Sequence, residues 1–176
     1  MEKLNIFIVE DESIVAKDIQ NSLTKLGYNV IGIANNGKDA IEKILELKPD
    51  LLLMDIMIKG DLTGIDVSEK IKEKLNVPII FLTAYADEGT LAKAKITEPY
   101  GYILKPFKEV DLHSTIEMAY YKHQKDSELQ NYLLKNNVRK HIEKFQKTDL
   151  DSDELLEKYI DEIISELKAV ALRTKN

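Results

Sequence analysis

Four short apolar runs along the chain each end in a polar or charged group. Ile6-Phe7-Ile8-Val9 runs into Glu10-Asp11-Glu12, and Leu51-Leu52-Leu53-Met54 into Asp55. Ile79-Ile80-Phe81-Leu82 runs into Thr83, and Tyr102-Ile103-Leu104 into Lys105-Pro106. Between them the apolar positions recur at helical rather than alternating spacing. The pattern predicts strands at Leu4–Val9, Asn29–Ala34, Asp50–Met54, Val77–Leu82 and Tyr100–Leu104. It predicts helices at Ser13–Leu26 (apolar Ile14, Val15, Ile19, Leu23 and Leu26), Lys38–Leu47, Gly64–Leu75 and Glu88–Ile96, with a further helix starting at Phe107. Glu12 or Ser13 is placed to cap the first helix and Gly27 to stop it. Strands that are apolar throughout, each followed by a helix, argue an α/β fold: a doubly wound, five-stranded parallel sheet covered on both faces. Ligands of such sheets bind outside the carboxyl ends of the strands, which is where the four polar groups converge.

The punctuation divides the chain. All seven glycines and all four prolines lie at or before Pro106, so residues 107–176 read as long helices. Residues 1–122 are expected to form the α/β domain and residues 123–176 a helical extension, folded as a hairpin. The fifth helix of the α/β domain has Val110, Leu112, Ile116 and Ala119 for its buried face. Leu129, Leu133, Val138, Ile142 and Phe145 continue at helical spacing to a break at 148–151. Asp151 and Glu154 are spaced as a cap for a last helix carrying Leu156, Ile160, Ile163, Leu167 and Val170. So wide an apolar stripe needs a partner: the preceding helix or the α/β domain, a second copy of the chain in a homodimer, or another protein.

Composition narrows the function. The 176 residues are 44% hydrophobic and 32% charged, as in ordinary globular proteins, and the formal net charge of -6 gives no global attraction to nucleic acid. Without cysteine there is no disulfide, thiol catalysis or thiolate metal site. No signal-peptide layout and no apolar stretch of the roughly 20 residues that span a bilayer are present, so a soluble cytoplasmic protein with no membrane partner is expected.

The strand ends carry the chemistry. Glu10, Asp11 and Asp55 on one sheet edge would repel one another, and a hard, partly hydrated divalent cation such as Mg²⁺ (or Mn²⁺) resolves this. Metal and lysine together point to phosphate. Phosphoryl transfer needs in-line positioning and neutralisation of the equatorial oxygens, which the cation, the Lys105 ammonium and the Thr83 hydroxyl can supply, with Asp55 as nucleophile. Ala84 leaves room for the incoming group.

Residues 1 to about 122 thus resemble the receiver domain of two-component response regulators. The resemblance rests on Val9-Glu10-Asp11-Glu12, Leu53-Met54-Asp55, Leu82-Thr83-Ala84 and Lys105-Pro106-Phe107, in order and at matching spacing. It implies a flavodoxin-like sheet of order 2-1-3-4-5 and Mg²⁺-dependent transfer of a phosphoryl group from a histidine kinase or phosphotransfer protein to Asp55. It also implies a protein that catalyses its own phosphorylation and dephosphorylation without turning over a separate substrate. Residue by residue, it implies Glu10 and Asp11 as the metal pair, the Met57 backbone carbonyl as a further ligand, Thr83 and Lys105 as phosphate contacts, Tyr102 as the aromatic that swings inward with Thr83, and a cis Lys105–Pro106 bond. A strand-end aspartate nucleophile also occurs in haloacid dehalogenase-like phosphohydrolases, but those use a second acid two residues on, where Met57 stands here.

The chain departs from the family pattern after Asp55. Proline is absent four residues on, and Gly64 stands nine rather than eight residues on. The loop is one residue longer and carries Lys59 and Asp61. An effect on kinase choice or phosphate lifetime and a tolerated surface insertion are the two readings. For the output, protein contacts or phosphorelay compete with a nucleic-acid-binding helical tail of a transcription or antitermination regulator. Arg139, Lys140, Lys144 and Lys147 form a basic stretch, yet residues 125–176 hold ten Lys/Arg against eleven Asp/Glu, and no helix-turn-helix signal is present. His113, His123 and His141 read as solvent-facing helical histidines rather than phosphohistidine sites.

Overall fold

A computed structural model describes residues 3–84, 94–147, 157, 160, 161 and 163–165. Its elements run β1 (Asn5–Val9), α1 (Ser13–Lys25), β2 (Asn29–Ala34), α2 (Gly37–Leu47), β3 (Leu51–Asp55), α3 (Gly64–Lys72), β4 (Ile79–Thr83), a helical stretch at residues 94–96 (α4), β5 (Gly101–Leu104) and α5 (Glu109–Lys147). The five strands form one sheet of order β2-β1-β3-β4-β5, every neighbouring pair parallel. This is the doubly wound, flavodoxin-like arrangement expected.

Burial explains the sheet. Every residue of β3 and β4 is buried, so both faces of these central strands lie under helices. Phe7, Leu52, Met54 and Phe81 join one core with Ala40 and Ile44 of α2 and Val67 and Ile71 of α3. Ile6, Ile8, Leu51, Leu53, Ile80 and Leu82 join the other with Ile19 and Leu23 of α1 and Leu112 and Ile116 of α5. The alternation of side chains along each strand divides the apolar runs between the two faces.

Several boundaries and faces differ from expectation. Ile14 is 80% exposed, and Ala16 takes its place with Ile19 and Leu23 on the buried face of α1. Glu12 occupies the N-cap of α1 but makes no side-chain capping bond. Gly27, at φ +91°, follows the helix's last turn in a conformation that favours glycine. Helix α3 stops at Lys72, short of Leu75, and β3 runs one residue further than its apolar stretch, taking in Asp55. Val110 is exposed, leaving Leu112, Ile116 and Ala119 to bury α5.

The histidines are not uniformly solvent-facing. His141 is buried. His123 lies 3.1 Å from Asn76 Oδ1, and its ring meets Tyr100 edge-on at 5.3 Å. His113 is exposed, though its Nδ1 lies 2.8 Å from the Tyr28 hydroxyl, which also donates to Glu117.

The chain divides into two compact units, Met1–His123 and Gln124–Asn176. In the second, Leu129, Leu133 and Val138 of the expected stripe are exposed, and the described residues 157, 160, 161 and 163–165 are helical. The expected start of α4 at Glu88, the break at 148–151, the Asp151/Glu154 cap, Leu156, Leu167, Val170 and the side chains of Ile142 and Phe145 lie outside the described residues. Among the described residues no helix is long and apolar enough to cross a membrane.

Candidate functional site

The parallel register brings the polar strand ends together. The Glu10 N–H continues the β1–β2 ladder by donating to the Ala34 carbonyl at 3.0 Å, and the Ile56 N–H extends β3 onto the Leu82 carbonyl at 3.1 Å. Thr83 pairs with Leu104 across β4 and β5, and the Lys105 N–H donates to the Thr83 carbonyl at 2.7 Å. Glu10, Asp55, Thr83 and Lys105 therefore sit on, or directly beside, backbone fixed by sheet hydrogen bonds.

Glu10, Asp11 and Asp55 each offer a carboxylate oxygen within 4.8 Å of the others. Glu10 and Asp55 are buried and Asp11 is partly so. The Lys105 ammonium reaches between two of them, 2.5 Å from both Glu10 Oε2 and Asp55 Oδ2. The other Asp55 oxygen, Oδ1, accepts the Met57 N–H at 2.9 Å. Glu10 Oε1 accepts the Glu12 N–H at 3.3 Å, and Asp11 Oδ2 pairs with Lys59 at 3.3 Å. The Lys105–Pro106 bond is cis.

The electrostatics derive from burial. Desolvation, helped by the neighbouring Asp55 charge, raises the Glu10 carboxyl above its ordinary value although the Lys105 ammonium pulls it down. The same burial works against the Lys105 charge, but hydrogen bonds and attraction from Asp55 and Glu10 outweigh it, and the Lys105 pKa is raised. Three carboxylates against one inner ammonium leave the pocket short of positive charge. Oxygen-only donors at this separation, with charge left over, suit a hard divalent cation that keeps part of its water shell.

The remaining expected residues fall into place less directly. Thr83 is buried at the end of β4. Met57 is 68% exposed beside Asp55. Tyr102 faces the β4 side, its ring 6.0 Å from that of Phe81, and its buried hydroxyl has no hydrogen-bond partner among the described residues. That burial raises the Tyr102 pKa.

Two contributors have no role legible in the sequence. Lys59 stands in the longer loop, but its pairing with Asp11 depends on how that loop folds back. Gly64 is marked in the sequence only by its spacing. In the fold its N–H donates to the Ile56 carbonyl at 2.9 Å, and a Cβ there would stand 2.0 Å from the Asp55 carbonyl oxygen. Glycine lets α3 start directly against the backbone of Asp55.

Residues 6–117 match the family model of the response regulator receiver domain. The chain is 36% identical over 115 residues to the transcriptional regulatory protein PdtaR of Mycobacterium tuberculosis, a match covering 65% of this chain and 55% of that protein. It is 36% identical over 104 residues to the chemotaxis protein CheY of Thermotoga maritima, covering 58% of this chain and 86% of that one. Among solved structures, the signal receiver domain of a modulated diguanylate cyclase from Desulfovibrio desulfuricans superposes with a TM-score of 0.67 at 37% identity, over 70% of this chain and 98% of that one. The chain matches only about half the length of PdtaR.

Proposed function

Because the chain belongs to the response regulator receiver family, we propose that Asp55 accepts a phosphoryl group from the phosphohistidine of a sensor kinase or phosphotransfer protein, with Mg²⁺ or Mn²⁺ held at the acidic cluster. The observation that carries this reading is the meeting of Glu10, Asp11 and Asp55 within 4.8 Å, with Lys105 on Asp55 Oδ2. Residues 1–122 form the phosphoacceptor domain and 123–176 its extension.

In the transfer, an Asp55 carboxylate oxygen forms the new bond to phosphorus as the bond to the imidazole nitrogen breaks. The Met57 N–H holds Asp55 Oδ1 in a fixed orientation. Lys105 moves from the carboxylates to a phosphoryl oxygen, and the Thr83 hydroxyl bonds another. Glu10, Asp11, Asp55 and the Met57 carbonyl hold the divalent cation, which when bound neutralises charge on the phosphoryl oxygens. Tyr102 moves with Thr83 as the switch residue. The protein acts as a phosphoacceptor rather than as an enzyme turning over a separate substrate.

Incubation of the full chain with acetyl phosphate and Mg²⁺ is expected to add one phosphoryl group per chain in an intact mass spectrum, and chelation with EDTA to suppress it. Equal labelling in EDTA would contradict the metal-assisted reading. The output proceeds through protein contacts or relay, with homodimerisation through the tail as one route. A nucleic-acid output is the second reading, favoured by the similarity to PdtaR, a transcriptional regulatory protein. The near balance of charge in residues 125–176 weighs against it, and a salt-sensitive shift of DNA or RNA by the full chain would favour it.

A further inference from the structure

Lys59 is the feature of the site that the phosphoacceptor reading leaves unused. It stands in the longer loop after Asp55, and that loop is held in place. The Lys59 backbone bridges in parallel to Asn36. Asn36 in turn caps α2, its side chain accepting the Asp39 N–H at 3.0 Å. Two residues beyond Lys59, Asp61 pairs with Lys38 at 3.4 Å. The loop thus lies along the start of α2, and from there the Lys59 ammonium reaches Asp11 Oδ2 at 3.3 Å.

The pairing divides the site's cations. Lys105 is committed to Glu10 and Asp55, and Lys59 serves Asp11. The Asp11 side chain is only 13% exposed, whereas that of Lys59 is 76% exposed. The carboxylate is therefore fixed, while the ammonium is free to leave for water. A divalent cation at the three acids needs an Asp11 lone pair that the Lys59 N–H partly occupies, and it must approach a positive charge one contact away.

We infer that Lys59 is an exchangeable counterion that competes with the divalent cation for Asp11 and so sets how much metal the site needs. This rests on the reading that Glu10, Asp11 and Asp55 hold the cation. It makes Lys59 a positioning residue acting through Asp11, and it gives the altered loop a function in metal affinity.

The test is a Mn²⁺ titration of the full, unphosphorylated chain, with free Mn²⁺ followed by electron paramagnetic resonance, so that no phosphotransfer is involved. An exposed pair is worth at most a few-fold in affinity, so Lys59→Met is expected to bind Mn²⁺ about three- to fivefold more tightly at low salt, the gain shrinking as salt screens it. Lys59→Arg keeps the charge and is expected to stay within about twofold of wild type. Lys38→Met removes the same charge beside the same loop, away from Asp11, and is expected to change affinity by less than about 1.5-fold. Unchanged affinity in Lys59→Met, or an equal gain in Lys38→Met, overturns the role of Lys59 while leaving the metal site intact. A wild-type chain that binds no Mn²⁺ overturns the metal site itself, and the inference with it.

Discussion

Asp55→Asn is expected to abolish acid-stable, base-labile phosphoryl labelling from a small phosphodonor, at any Mg²⁺ concentration. The amide keeps the shape of the carboxylate but lacks the anionic oxygen that attacks phosphorus. The surrounding groups cannot replace it. Glu10 is buried and bound by Lys105, and Asp11 pairs with Lys59. Nucleophilic catalysis depends on one activated group, so the effect is near-complete loss rather than a partial change in rate. The fold is expected to tolerate the substitution, because the Asn oxygen can still accept the Met57 N–H and its position in β3 is fixed by the neighbouring strands. Labelling at wild-type level in Asp55→Asn, checked by scintillation counting of gel-resolved protein, would sink the assignment.

Among the glycines of the described residues, Gly64 is expected to be the one least tolerant of alanine. In Gly64→Ala the new Cβ would stand 2.0 Å from the Asp55 carbonyl oxygen, 3.0 Å from its carbon and 3.1 Å from Met54 Cγ. The first two atoms are backbone of a strand buried along its whole length, so neither can turn aside as a side chain does. Either α3 withdraws from the end of β3, losing the bond from Gly64 N–H to the Ile56 carbonyl, or β3 itself shifts. Overpacking of this kind costs about 1–3 kcal/mol, and a backbone clash belongs at the upper end. Urea unfolding should show a lower midpoint with an unchanged slope. Phosphorylation of the folded fraction should be slowed, because the displaced atoms belong to the nucleophile's own residue. Gly101→Ala is the comparison: its Cβ would meet Thr115 Cγ2 at 2.8 Å, the end of a side chain that can rotate. A Gly64→Ala protein as stable as wild type would show that the close contact is not rigid.

The fold is readable because the central strands are apolar at every position and the turns are marked by glycine and proline. The site is readable for the same reason. A carboxylate, a hydroxyl or an ammonium directly after such a run has its location fixed by the strand, and parallel order then brings the ends together. What could not be read depends on tertiary packing. Ile14 fits the apolar spacing of α1 as well as Ile19 does, yet the direction in which α1 lies on the sheet leaves it in water. His141 looks like any polar residue on a helix, and its burial shows only in the fold. The Lys59–Asp11 pair joins residues in different loops, and only the docking of the loop against Asn36 brings them into contact. Gly64 is visible as a spacing anomaly, but its reason, the Asp55 carbonyl against its α-carbon, is a matter of three dimensions.

The central claim is that the phosphoryl group is carried by Asp55, and the most direct measurement is to locate it. Borohydride reduction of the phosphorylated protein converts an aspartyl phosphate to homoserine, which peptide mass spectrometry places at a single residue. Homoserine is predicted at position 55 alone, formed only when phosphodonor and divalent cation were both present. Homoserine at Asp11, a reduced product at Glu10, a phosphohistidine at His113, His123 or His141, or no modified residue in a labelled protein would contradict it.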